Sequence, residues 1–106
     1  MTLTARDRRD LRRIGHHLQP IVTIGDNGVS EGVIAETERA LTDHELIKVR
    51  LPAGAKADRQ ALANALCEAC GAEPVQHIGR ITLLYRKAKK PDPAKSNILR
   101  AQLGRS

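Results

Sequence analysis

The chain has 106 residues, a length that suits one domain and leaves no room for two. Hydrophobic residues make up 41% of it, and 25 Ile, Leu and Val against a single aromatic, Tyr85, exclude a disordered chain and call for an aliphatic core. The formal charge of +6 is uneven: residues 1–13 carry five Arg against Asp7 and Asp10, residues 14–85 carry six basic against nine acidic side chains, and residues 86–106 carry seven basic side chains against Asp92.

Thr4 with Asp7 three residues on approximates a capping box, so a helix is predicted from Ala5. Leu11, Ile14 and Leu18 form one apolar stripe. Arg6, Arg9 and Arg13 fall opposite it and Arg8 and Arg12 flank it, which makes a buried face with a basic back. Gly15 is expected to end the helix and leave His16 and His17 in a connection, the favoured reading, from which they could also touch a phosphate backbone. The β-branched run Ile21–Ile24 after Pro20 predicts a strand, broken by Gly25-Asp26-Asn27-Gly28. Ser30 is a good N-cap, with Val29 and Ile34 spaced as a hydrophobic staple, for a helix from Glu31 to about Asp43 that buries Val33, Ile34, Thr37 and Leu41.

Residues 45–51 alternate as a strand, with Ile47, Val49 and Leu51 on one side and Leu46, Lys48 and Arg50 on the other. Asp58 is expected to cap a third helix that buries Leu62, Ala65, Leu66 and Ala69 and ends at Gly71. Residues 75–78 and 81–86 read as a hairpin with Gly79-Arg80 in a type II′ turn. The order helix, strand, helix, strand, helix, strand, strand predicts an α/β domain of α+β two-layer type over residues 1–86. It should hold a small mixed four-stranded sheet with helices packed against it. One sheet face is expected to be partly open, with Lys48 and Arg50 as candidates for it. Residues 87–106 are basic, contain Pro91 and Pro93, and are expected to be an extended, flexible tail. Ser96 could cap one turn containing Leu99 and Leu103, too short to hold alone.

Basic ends around a mildly acidic middle suggest a polyanionic partner, with nucleic acid ahead of acidic lipid or acidic protein. No run of apolar residues is long enough to span a membrane, and no apolar stretch follows the first arginines, so a cytoplasmic protein is expected. Cys67 and Cys70 cannot staple distant segments and lack the partners of a zinc site, so packing is the expected role. His16, His17, His44 and His77 are scattered, and no spacing identifies a catalytic pair, a metal or a cofactor. The Gly25–Gly28 loop is the best site candidate: it precedes a helix N-terminus whose free N–H groups suit phosphate. The same sequence is also an ordinary turn, and Asp26 would have to point away from an anion. With one aromatic there is no stacking platform, so recognition should rest on arginines, lysines and backbone amides.

The segment Pro20–Gly28, the following Glu31-Gly32-Val33, the strand Glu45–Val49 and the hairpin Ile78-Gly79-Arg80 through Leu84-Tyr85-Arg86 resemble the bacterial YhbY family of single CRM domains. The resemblance covers residues 2–87. It implies a fold similar to the C-terminal domain of bacterial translation initiation factor three and a non-catalytic protein that binds structured RNA. Members are associated with precursors of the large ribosomal subunit. Carried over by position, Gly25, Asp26, Asn27 and Gly28 become the RNA-facing loop, extended by the basic back of the first helix. The candidate RNA contacts are therefore that loop with Arg6, Arg9, Arg12, Arg13, Lys48, Arg50, Arg86, Lys87, Lys89 and Lys90. The expected partner is ribosomal RNA or a pre-large-subunit particle, met by a monomer without cofactor or membrane. The competing readings are a factor bound to mature ribosomes or intron-like RNAs, and a protein-interaction adaptor that uses the open sheet face and a tail that folds on its partner, which an uncharged hydrophobic patch on that face would favour.

Overall fold

Thr4 opens the first helix through a complete capping box: its Oγ1 accepts from the Asp7 N–H at 3.0 Å, and its own N–H donates to Asp7 Oδ2 at 3.0 Å. The computed structural model describes residues 3–103, so residues 1–2 and 104–106 of the two expected segments lie outside the described residues. The helices are α1 (Ala5–Gly15), α2 (Glu31–His44), α3 (Lys56–Cys70) and α4 (Asn97–Leu103). The strands are β1 (Pro20–Thr23), β2 (Leu46–Arg50), β3 (Glu73–Ile78) and β4 (Ile81–Tyr85). They form one mixed sheet in the order β1-β2-β4-β3, with β1 parallel to β2 and β4 antiparallel to both of its neighbours.

Strand alternation divides the apolar residues between two cores. Ile47, Val49, Leu51, Val22 and Leu84 face α2 and α3, where they meet Leu41, Leu66, Cys67 and Cys70. Val29 and Ile34 pack against the same cluster, as the staple spacing predicts, and Ser30 Oγ accepts from the Val33 N–H at 3.2 Å. Leu46 and Leu83 face the other way, and an irregularity in the register between Pro74 and Gln76 brings Val75 to the same side, where they pack with Leu3 and Leu11, flanked by Ile14, Leu18, Tyr85 and Ile98. Each fully buried Leu or Ile contributes about 1.5–3 kcal/mol.

Gly15 has a role that periodicity does not disclose. A Cβ there would lie 2.6 Å from Leu83 Cδ2, and Leu83 is itself buried, so the missing side chain lets α1 settle onto β4. Three expectations need correction. The third helix begins at Lys56 with Ala55 at its N-cap and no side-chain cap, while Asp58 sits inside its first turn. Its buried face is Ala63, Leu66, Cys67 and Cys70, leaving Ala65 and Ala69 exposed, because the helix is rotated so that the larger thiols reach the core. Gly71 does end it, in the left-handed conformation at φ 63°. In the hairpin, Gly79 takes φ 56° and Arg80 does not take a positive φ, as a type II′ turn requires.

The third correction concerns residues 87–103, which fold back onto the domain rather than extend from it. Glu45 closes α2 at φ 63°, a conformation uncomfortable for a residue with a Cβ. Its buried carboxylate accepts from Ser96 Oγ at 2.7 Å and from the Ala88 N–H at 2.8 Å. Asn97 Nδ2 donates to the Leu46 carbonyl at 2.7 Å, and Ser96 Oγ accepts from the Leu99 N–H at 3.2 Å as a cap. A helix too short to persist alone is thus held by tertiary contacts, with Ile98 packed on the second core. Leu103 closes α4, and its side chain lies outside the description.

Candidate functional site

Helix α1 and the short α4 cover the Leu46–Tyr85 end of their sheet face, with α1 reaching as far as Leu83. At the other end, Lys48 and Ile81 look into a groove of about 570 Å³ whose remaining walls are Arg9, Arg12, Arg13, His16, His17, Gln76, Ile78 and Leu83. The volume lies within the ~300–1,000 Å³ typical of ligand sites. Four full cations line the groove, and no carboxylate does. The α1 stripe sets this arrangement: with Leu11 buried against the sheet, Arg9, Arg12 and Arg13 lie away from the buried face and border the groove together with Lys48. Arg13 also meets Asp10 at 3.7 Å in a half-exposed pair, which leaves its charge available. His16, the C-cap of α1, and His17 stand edge to face with ring centroids 5.2 Å apart.

Arg50, two positions on from Lys48 and on its face, is exposed and pairs across the sheet with Thr23. The glycine loop leaves the sheet beside it, where the Ile24 N–H donates to the Arg50 carbonyl at 2.9 Å. Within the loop the Gly28 N–H donates to the Gly25 carbonyl at 3.0 Å, and Asp26 and Asn27 are exposed at the tip. Gly28 requires its glycine, at φ 67°. Gly25 does not, because a Cβ there would meet only open space. Arg6 is exposed on α1 outside the groove lining.

The remaining candidates lie elsewhere. Tyr85 pairs with Leu46 and Ile81 with Arg50, so the segment after Tyr85 departs from the sheet end opposite the glycine loop. There Arg86, 23% exposed, donates to Glu38 Oε2 at 2.6 Å, the Cys70 carbonyl at 2.9 Å, Thr42 Oγ1 at 3.0 Å and the Glu38 carbonyl at 3.2 Å. Its guanidinium ties β4 to α2 and α3. Lys87, Lys89 and Lys90 stand around it beside Glu38 and Thr42. Other arginines are also structural: Arg8 donates to the Pro74 carbonyl at 2.6 Å, and Arg80 Nε to the Leu51 carbonyl at 3.0 Å.

Sequence reasoning favoured a mere connection for His16 and His17, which line the groove, and did not select Gln76, Ile78 or Arg100. Arg100 reaches the groove's margin beside Arg13 and His17 because α4 is docked, which an extended tail would not allow. Ile78 could have been suspected from its place at a hairpin tip, outside any buried stripe. The thiols are packing groups: burial, helped by Cys70 and Glu73, pushes Cys67 up to about 12, and burial also raises Cys70. Among the described residues no group of three or more His, Cys, Asp or Glu could hold a metal ion, and no helix is long and apolar enough to cross a membrane.

Comparison with known proteins agrees with this architecture. A Pseudomonas aeruginosa protein named as a probable RNA-binding protein is 48% identical over 100 residues, 94% of this chain and 96% of that one. A Haemophilus influenzae protein named as an RNA-binding protein is 42% identical over 89 residues, covering 84% of this chain and 90% of its own. The solution structure of a hypothetical protein from Staphylococcus aureus superposes with a TM-score of 0.75 at 37% identity, over 84% of this chain and 93% of that one. Residues 3–86 match the CRS1 / YhbY (CRM) domain, and the chain belongs to that family.

Proposed function

We propose that this protein binds structured RNA without catalysing a reaction, through the groove between α1 and the open end of the sheet, continued over Arg50 to the Gly25–Gly28 loop. The observation that carries this reading is the groove lining, with Arg9, Arg12, Arg13 and Lys48 and no carboxylate. Such a row suits a phosphate backbone, and relatives named as RNA-binding proteins support the polyanion as RNA. The finer reading is a cytoplasmic monomer acting on ribosomal RNA during large-subunit assembly. Its support is the family resemblance together with recognition that rests on charge and shape. The adaptor reading would be favoured by an uncharged patch on the open face, and Lys48 and Arg50 stand on this one.

The test is equilibrium binding to fragments of large-subunit ribosomal RNA across a range of salt. Log affinity should fall linearly with log salt, by about 0.7–0.9 for each phosphate neutralised. Reversing Arg9 and Arg13 to Glu should weaken binding at least about tenfold and make that slope shallower, with the melting temperature unchanged. A salt-independent affinity, or unchanged binding by the double variant, would sink the proposal. Ultraviolet crosslinking in cells then identifies the RNA. Fragments concentrated in precursor large-subunit RNA support the assembly role, and fragments scattered in proportion to abundance remove it.

A further inference from the structure

We infer that the groove seats an unpaired base, so that its preferred RNA carries mismatched or looped-out nucleotides rather than continuous duplex. The inference rests on the RNA reading above and comes from the groove's floor, not its charged rim. Ile78 is 63% exposed, one of two large apolar side chains left in water among the described residues. It pairs directly with Ile81 across the β3–β4 ladder, and the next pair inward on that face is Gln76 with Leu83. All four line the groove.

A single exposed aliphatic carries no message. Here the exposed side chain adjoins the half-buried Ile81, with Leu83 buried behind it, in a groove that Arg9, Arg12, Arg13 and Lys48 also line. Phosphates satisfy Arg9, Arg12, Arg13 and Lys48 and gain nothing from the apolar side chains. A paired helix keeps its base faces stacked inside and presents only phosphates, sugars and groove edges to a protein. An unpaired base offers a flat apolar face to the isoleucines, and the Gln76 amide, with two donors and an acceptor, stands beside them for its edge. The sole aromatic, Tyr85, lines a different cleft with Leu11 and Ile98, so the aliphatic pair takes the part that an aromatic platform plays in other single-strand binders.

The experiment compares two blunt RNA duplexes of equal length, one fully paired and one with three central mismatches, so that phosphate counts are equal. Wild-type protein should bind the mismatched duplex roughly fivefold more tightly, the scale of burying a methylene group or two. Ile78→Ala should abolish that preference by lowering affinity for the mismatched duplex several-fold more than for the paired one, and Ile78→Leu should retain it. Because Ile78 is exposed, neither substitution should shift the melting temperature. Equal binding of the two duplexes by wild-type protein, or an Ile78→Ala loss that falls on both alike, would overturn the inference. Failure of the underlying RNA reading looks different: neither duplex would then bind with salt dependence.

Discussion

Two glycines three residues apart look equivalent in sequence and are not equivalent in the fold. Gly28 holds φ 67°, so Gly28→Ala should destabilise the protein by about 1 kcal/mol in a urea titration. Gly25 has open space where a Cβ would go, so Gly25→Ala should leave stability unchanged. Weaker RNA binding by Gly25→Ala would then report surface contact rather than folding, and unchanged binding would take the loop out of the interface. The glycine pattern was legible in sequence, but the division of labour was not, since it depends on the space around each Cα. Cys67 makes a second prediction at this scale. Burial holds its thiol protonated up to about 12, whereas the unfolded chain ionises near the ordinary value of 9.0. Between those values the folded state binds more protons, so stability is full below the lower value and falls as pH rises through the upper one. Urea unfolding from pH 8 to 11 should show that decline, and Cys67→Ala should make it shallower.

Among the elements, α1 to β4 could be read from periodicity and punctuation, because each has a local cause: the Thr4 and Ser30 caps, the alternation of β2 and the Gly79 turn. The docking of α4 was not legible, because it is held by contacts 51 residues back along the chain, the buried Glu45 carboxylate with Ser96 and the Leu46 carbonyl with Asn97. Ser96 shows how closely that junction is made, serving at once as donor to Glu45 and as acceptor for the Leu99 N–H. Ser96→Ala should therefore cost about 1–3 kcal/mol and expose residues 87–95 to trypsin, measured as faster cleavage in the lysine-rich stretch. Resistance equal to wild type would mean that Asn97 and Ile98 suffice to hold the helix. The candidate site divides along the same line. The α1 arginines could be assigned to one face, but their meeting with Lys48 and Ile78 depends on how far along β4 the helix lies, which Gly15 decides by its contact with Leu83.

Over the whole molecule, basic residues gather at the two ends of a sheet whose five-residue central strands span about 13 Å. A radius of gyration of 13.2 Å is what a fully folded chain of this length has, so the lysine segment stays close to the body. At that separation the Lys89–Lys90 cluster would act on an RNA held in the proposed groove mainly as a distant, screened field. Lys89→Glu with Lys90→Glu should slow association at low salt and leave affinity within about twofold near 0.15 M, as followed by stopped-flow fluorescence. An equal loss at both salts would put those lysines in contact with the RNA. The seat of α1 has a different consequence, one of timing. Helix α1 precedes every other element in synthesis, yet it rests on Leu46, Val75 and Leu83, and β4 is inserted between two strands made before it. At about 5–20 residues per second the ribosome takes several seconds to travel from Gly15 to Leu83. An eleven-residue helix is marginal by itself over that interval. The newborn arginines therefore meet their surroundings first as a loose polycation, and acquire the spacing of a groove only when the last strand slides home.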